Sequence, residues 1–140
     1  MTLFGVSVLR GAALAVLLLT VEPLHAEYLR IKLQVYGLDC YLCARGVSAT
    51  IQRMPGVKSV EVSLKTGLLE IVLVRGNTFR MSDLRKRIRE NGFRAMEATV
   101  TAVGEFNGAK FEVSGSGESY SIGNPDPSAP APLELTFAVR

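Results

Sequence analysis

The sequence predicts an α+β fold in which six elements follow in the order strand, helix, strand, strand, helix, strand. Three observations predict it. Residues 28–36 alternate apolar and polar side chains, helical periodicity begins at Cys43, and the turn Lys65-Thr66-Gly67 separates two further alternating segments. Alternation with a period of two indicates a half-buried strand, whereas apolar residues at three- and four-residue steps indicate an amphipathic helix. Two strands joined by a short turn that contains glycine indicate a hairpin.

The first four predicted elements each end at a residue that interrupts the pattern. Gly37 ends the strand 28–36, and Pro55-Gly56 ends the first helix, since both are strong breakers of regular structure. The hairpin strands are expected at 57–64 and 68–74. The inner face of the helix is formed by Ala44, Val47, Ile51 and Met54.

The second predicted helix has a start signal and a stop signal. Ser82 is the expected N-cap, and Asn91-Gly92 is the expected C-terminal signal, because these residue types satisfy backbone groups at helix ends. Leu84 and Ile88 form its inner face, and a fourth strand runs from Phe93 through residue 102. This order predicts a ferredoxin-like βαββαβ sandwich, with two helices on one face of an antiparallel sheet.

The C-terminal residues 104–140 are expected to form a β extension of a domain that spans 27–103. Asn107-Gly108 lies between alternating flanks and predicts a hairpin. Residues 123–132 are rich in proline and predict an extended connection. The alternation in 133–139 predicts one more strand.

Residues 1–26 have the parts of a secretory signal. Arg10 precedes an apolar run at 11–21, and Ala26 is a small residue at the expected cleavage position, as in signal peptides. We therefore expect export and a periplasmic location, with an uncleaved N-terminal anchor as the alternative. The whole chain has 140 residues, 48% of them hydrophobic, and a net charge of +3, a modest excess that does not indicate a nucleic-acid partner.

The predicted cleavage also removes His25, which is the single histidine of the chain. Without an imidazole the mature chain has neither a Cys-His catalytic pair nor a mixed Cys/His zinc site. If the chain binds and transfers a metal ion, we expect it not to be an enzyme. Cys40 and Cys43 are the two cysteines, too few for a closed four-thiolate zinc site. Their C-x-x-C spacing between a strand and a helix start brings both sulfurs to one loop. Thiolates there select soft ions such as Hg(II), Cu(I), Zn(II) or Cd(II).

Oxidation of the same pair is the competing interpretation. In an oxidising compartment Cys40 and Cys43 can form a disulfide, either inert or active in thiol-disulfide exchange. A periplasmic redox protein therefore stays open as an alternative, as does a sensor or protein-interaction domain whose thiols are incidental.

Residues 29–103 resemble the heavy-metal-associated domain family. The resemblance rests on Gly37-Leu38-Asp39-Cys40-x-x-Cys43 after the first strand, on Pro55-Gly56, and on the two later motifs V-x-V-x-L at 60–64 and N-G-F-x-A at 91–95. That family includes copper chaperones, metal-binding domains of P-type ATPases and the periplasmic mercuric-ion binding protein, and an exported single-domain chain is nearest in type to the last. The resemblance implies capture of one soft metal ion and its transfer to a membrane metal transporter or another thiol protein.

The resemblance also assigns roles to residues around the cysteines. Leu38 stands where the family usually has a buried methionine, and Phe93 matches an aromatic residue near the metal loop. Asp39 resembles the aspartate of zinc, cadmium and lead exporting ATPases, where a carboxylate joins the two sulfurs; helix capping is its alternative role. Leu42 departs from the family, which generally has a small or polar residue at that position.

The second helix carries a run of basic residues, namely Arg85, Lys86, Arg87 and Arg89. Such a run is usually a solvated helix face. The functional alternative is docking to an acidic partner surface or to anionic lipid head groups, so peripheral membrane contact is one expectation. We expect the protein to be a monomer.

Overall fold

A computed structural model describes residues 27–123, 128 and 133–140. The predicted signal peptide and most of the proline-rich connection lie outside these residues. The elements, in chain order, are β1 (Tyr28–Tyr36), α1 (Tyr41–Gln52), β2 (Val57–Ser63), β3 (Leu68–Leu73), α2 (Met81–Glu90), β4 (Arg94–Asn107), β5 (Lys110–Val113), a 3-10 turn (Ser114–Ser116), β6 (Glu118–Ser121) and β7 (Leu133–Val139).

The first six elements form the predicted ferredoxin-like sandwich. The sheet has the order β2-β3-β1-β4, and every neighbouring pair is antiparallel. The two helices contact each other, α1 also contacts β2, and α2 contacts β4. No helix in the described ranges is long and apolar enough to cross a membrane.

One core joins the helices to the sheet. Val47 and Ile51 of α1, Leu84 and Ile88 of α2 and Ile31 of β1 are all at most 1% exposed. Fully burying a side chain of this size contributes about 1.5–3 kcal/mol. The alternation of β1 and the helical periodicities therefore predicted most of this core. Met54, expected on the inner face of the first helix, lies beyond the end of α1 at Gln52 and is only partly buried.

Strand register brings three connections together at one end of the sheet. Gln34 pairs with Leu68 at the start of β3, and Tyr36 pairs with Arg94 at the start of β4. The β2–β3 turn contacts β1 directly, since the N–H of Val35 donates to the carbonyl oxygen of Gly67 at 2.9 Å. A Cβ at Gly67 would lie 2.7 Å from the Val35 oxygen, and its φ of +66° also favours glycine. We call residues 36–43, 64–67 and 94–96 the cysteine end.

The C-terminal extension continues the sheet beyond β4. β7 pairs with β4 along 98–104, and β5 pairs with its last residues, 105–107. The hairpin at Asn107-Gly108 and the strand 133–139 are confirmed, and β6 is an additional strand that the sequence did not predict. β4 runs without interruption across residue 103, the predicted boundary between the domain and its extension. Gly104 is required there, because a Cβ would lie 2.7 Å from the Phe111 ring.

The N-terminus of α2 is capped by a residue from β6. The predicted N-cap, Ser82, is wrong: the helix begins at Met81, its N-cap is Arg80, and no side chain of the N-cap binds the helix. Instead the Glu118 carboxylate accepts from the N–H of Met81 at 2.7 Å and from the N–H of Ser82 at 2.9 Å. These are N–H groups for which the first turn of a helix has no internal partner.

Two tyrosine hydroxyls complete this polar cluster. The Tyr28 hydroxyl donates to Glu118 Oε2 at 2.5 Å and lies 2.6 Å from the Tyr120 hydroxyl. Burial acts to raise the pKa of Glu118, but the hydrogen bonds from Tyr28, Ser82 and Met81 outweigh it and lower that pKa below its usual value. We call Glu118, Tyr28 and Tyr120 the glutamate cluster. It joins β1, α2 and β6.

Candidate functional site

The loop between β1 and α1 is held at its base and open at its tip. Gly37 turns the chain with a φ of +87°, a conformation suited to glycine. Leu38 is 2% exposed and belongs to the core, as expected for an anchoring residue. Asp39 and Cys40 are exposed, and the helix begins at Tyr41, two residues earlier than the predicted start at Cys43.

The two cysteines lie side by side at the first turn of α1. Cys40 is the helix N-cap, and its Sγ accepts a hydrogen bond from the Cys43 N–H at 3.0 Å. Their Cα atoms are 5.1 Å apart, and the sulfurs are joined in a disulfide. Cys40 is exposed and Cys43 is partly buried. A disulfide offers no thiolate, so metal binding at this site requires the reduced pair.

The helix start favours thiolates once the pair is reduced. The first turn of α1 carries no acidic residue, and helix N-termini present unpaired N–H groups with a partial positive charge. Such a position favours the thiolate form of a cysteine. Within the described ranges no group of three or more His, Cys, Asp and Glu side chains is placed to hold a metal ion.

Asp39 does not cap the helix. The N-cap is Cys40, so the alternative role of Asp39 as a capping residue is wrong. Its exposed carboxylate makes no hydrogen bond or ion pair with any residue that the structure describes. The side chain is therefore free to turn toward an ion at the neighbouring sulfurs, and its role as a third ligand stays a prediction.

Phe93 lies next to the base of the loop. It is partly buried against the core, and its N–H donates to the carbonyl oxygen of Ile88 at 3.1 Å. A Cβ on Gly37 would be 3.6 Å from Phe93 Cδ1, so the ring touches the loop two residues before Asp39. Phe93 and Leu38 thus support the loop from below.

The basic residues of α2 differ in their availability to a partner. Arg85 donates to the carbonyl oxygens of Met96 at 3.0 Å and Val139 at 3.2 Å, so it ties α2 to β4 and β7, and its docking role stays a prediction. Lys86 and Arg87 lie 3.9 and 3.6 Å from the Glu90 carboxylate. Arg89 makes no ion pair within the described ranges and remains available to a partner.

Sequence reasoning missed most of the surface around the loop. Tyr36 belongs to β1, Leu64 follows β2 and Met96 belongs to β4, and all three are exposed at the cysteine end. The glutamate cluster was missed too, because its partners are 90 and 92 residues apart and no local motif marks them. The sequence did contain a signal for Tyr36, Leu64 and Met96, because each is an apolar residue near a strand end and close to a turn.

The comparisons with known proteins agree with the class of site. Residues 32–94 match the family model of the heavy-metal-associated domain, so the chain carries a heavy-metal-associated domain over this range. No curated protein sequence matches the chain significantly.

Three solved structures illustrate the likeness. Oxidized MerP from Ralstonia metallidurans CH34 is 23% identical with a TM-score of 0.45, covering 49% of this chain and 94% of that one. The yeast copper transporter domain Ccc2a is 21% identical with a TM-score of 0.45, covering 48% and 90%. A copper binding domain from HMA7, a P-type ATPase, is 26% identical with a TM-score of 0.45, covering 49% and 90%.

Proposed function

We propose that the reduced Cys40 and Cys43 capture one soft metal ion, Hg(II), Cu(I), Zn(II) or Cd(II), and pass it to another thiol protein. One observation carries the proposal: within the heavy-metal-associated segment, two adjacent sulfurs lie at an accessible helix N-terminus. Two thiolates suit soft ions and leave coordination positions open to an incoming ligand. On this proposal the protein is a carrier and not an enzyme.

Binding must be preceded by reduction of the disulfide. A dithiol reductant supplies two electrons and two protons, the Cys40–Cys43 bond breaks, and the reductant becomes a disulfide. The ion then displaces the remaining thiol protons, so binding weakens as pH falls. A reductant of this class is thus part of the proposed pathway.

Transfer proceeds by ligand exchange. A partner thiol loses its proton and bonds to the ion, one of the two domain cysteines is released and takes up a proton, and the exchange repeats with the second sulfur. The oxidation state of the ion does not change. We propose a membrane metal transporter as the principal recipient, in keeping with export directed by residues 1–26. Asp39 adds an oxygen ligand that favours a divalent ion over Cu(I).

The test is a metal titration of the fully reduced protein without oxygen. Hg(II), Cu(I), Zn(II) and Cd(II) are each titrated into the unchanged chain and into the variants Cys40→Ser and Cys43→Ser. Serine is a better replacement than alanine at position 40, because its hydroxyl oxygen can still accept the N-cap hydrogen bond after the sulfur is removed. Tight binding that persists in both variants would sink the proposal.

A second function is favoured by the disulfide itself. Cys40 and Cys43 are already joined at a helix N-terminus, an arrangement also used by thiol-disulfide oxidoreductases. The reduction potential and the rate of exchange with a small dithiol separate the two functions. Slow disulfide exchange and a strongly reducing potential support the metal carrier. Rapid exchange and an oxidising potential support the redox protein.

A further inference from the structure

The exposed apolar surface is concentrated at the cysteine end. Six large apolar side chains are exposed in the part of the chain that the structure describes, and five belong to this end. We call these five the apolar rim: Tyr36, Tyr41, Leu42, Leu64 and Met96. The sixth, Val74, follows β3 at the opposite end, where its N–H donates to Gly56.

The rim is one continuous surface around the disulfide. Tyr36, Leu64 and Met96 line a groove of about 910 Å³, together with Asp39. Leu64 and Tyr41 line a second groove on the other side, between α1 and β2. Leu42 follows Tyr41 and is 76% exposed, the largest value among the six. Its side chain therefore projects from the tip of the surface.

Basic side chains are interleaved with the rim. The Arg45 guanidinium lies 5.9 Å from the centroid of the Tyr41 ring, Arg94 is the strand partner of Tyr36, and Lys65 follows Leu64. None of these three cations makes an ion pair within the described ranges. Of the nearby acids, Glu97 is 3.6 Å from Arg140, which leaves Asp39 as the unpaired anion. This end therefore carries an excess of positive charge.

We infer that the cysteine end docks onto an anionic lipid surface. Tyrosine and leucine are suited to the boundary between head groups and acyl chains. Arginine and lysine bind the phosphates of the head groups, which lie closer to the water. Each basic residue near an anionic membrane adds electrostatic attraction to it. The rim is small for a stable protein complex, because a stable interface uses about 20–30 residues on each side, whereas the transient contact of thiol exchange needs a smaller one. Docking presents the cysteine loop to the membrane surface and does not depend on the thiols.

The experiment locates the contact within the full chain. The protein is mixed with vesicles of phosphatidylglycerol and phosphatidylcholine that contain a spin-labelled lipid, and attenuation of each amide NMR signal is measured. We expect strong attenuation at Tyr41–Cys43 and Leu64 and none around Val74. Vesicles of phosphatidylcholine alone should give much less attenuation of these signals than the mixed vesicles. Because the readout is local, membrane contact made by residues 1–26 does not mimic it.

Two matched double variants test the chemistry. Leu42→Ser with Arg45→Glu should abolish the attenuation at the cysteine end. The control, Val74→Ser with Lys58→Glu, makes the same changes at the opposite end, where both residues line one groove, and should preserve the attenuation at the cysteine end. Equal attenuation at both ends, no attenuation, or equal loss in both variants would each overturn the inference. Cys40→Ser with Cys43→Ser should leave lipid contact unchanged, so failure of metal binding and failure of docking are distinguishable.

Discussion

The two ends of the βαββαβ sheet use their polar and apolar groups in opposite ways. At the cysteine end, Asp39 has no partner in the described ranges and Tyr41 and Leu42 are exposed. At the other end, Glu118 accepts hydrogen bonds from a tyrosine and from two backbone N–H groups. Exposed side chains without an internal partner are available to bind a ligand or a surface, whereas hydrogen-bonded, buried groups contribute to the stability of the fold. The difference separates the region that interacts from the region that stabilises.

The largest expected effect is on metal binding. Cys43→Ser should weaken binding of the preferred ion by more than about 100-fold, exceeding the loss that changes outside the ligand shell usually cause. Thermal unfolding of the reduced variant should match that of the reduced parent, because serine is similar in size. A large loss of stability would mean that the cysteine end also holds the fold together, and would break the comparison.

Glu118→Ala tests the other end. It should lower the free energy of unfolding by about 2–4 kcal/mol, since it removes a helix cap and the acceptor of the Tyr28 hydroxyl. Chemical denaturation measures this change. The folded variant should bind metal with unchanged affinity. If affinity falls with stability, the two ends are coupled through α2 and are not independent.

Tyr120→Phe should cost about 1 kcal/mol, the value of one hydroxyl hydrogen bond. Burial raises the pKa of Tyr120 to about 12, and it also raises the pKa of Tyr28. A raised folded pKa contributes stability that is complete below the unfolded value, about 10, and is lost as pH rises toward the folded value. The alkaline fall in stability should therefore be shallower in the variant.

At acid pH the unfolding free energy changes with pH in the opposite direction. The pKa of Glu118 is lowered in the folded state, so its contribution is present above the unfolded pKa and is lost as pH falls through the folded one. Glu118→Gln should flatten the acid limb of a plot of unfolding free energy against pH. An unchanged acid limb would show that other carboxylates control acid stability.

The smallest expected effect is at Asp39. Asp39→Ala should weaken Zn(II) or Cd(II) binding by about threefold to tenfold, and Cu(I) binding less, because an oxygen ligand contributes more to a harder divalent ion. Competition with a chromophoric chelator measures both. Asp39→Asn keeps an oxygen without the charge and serves as the control. Equal losses for all ions would assign Asp39 an electrostatic role without ligation.

Local patterns predicted most of the fold. β1 was predicted with the bounds that it has, and the hairpin signal at Asn107-Gly108 correctly placed the turn between β4 and β5. These features depend on neighbours in sequence, such as alternation, breakers and turn residues. β6 was missed because its four residues, Glu118–Ser121, are too few for a clear period.

The candidate site was predicted less completely than the fold. The C-x-x-C spacing located both sulfurs, but it is compatible with thiolates and with a disulfide, so it did not decide their redox state. The capping of α2 by Glu118 and the use of Arg85 to hold β7 both join residues far apart in the chain. Such contacts follow from tertiary packing, and the sequence of α2 alone suggested Ser82 as the cap and Arg85 as a docking residue.

β4 is shared between the domain and its extension, and this has a consequence for biosynthesis. β7, which pairs with one side of β4, is formed by Leu133–Val139, about 30 residues further along the chain. Translation proceeds from the N-terminus, so β4 is synthesised before the β7 residues that pair with it. The edge of β4 is open to non-native pairing until β7 forms.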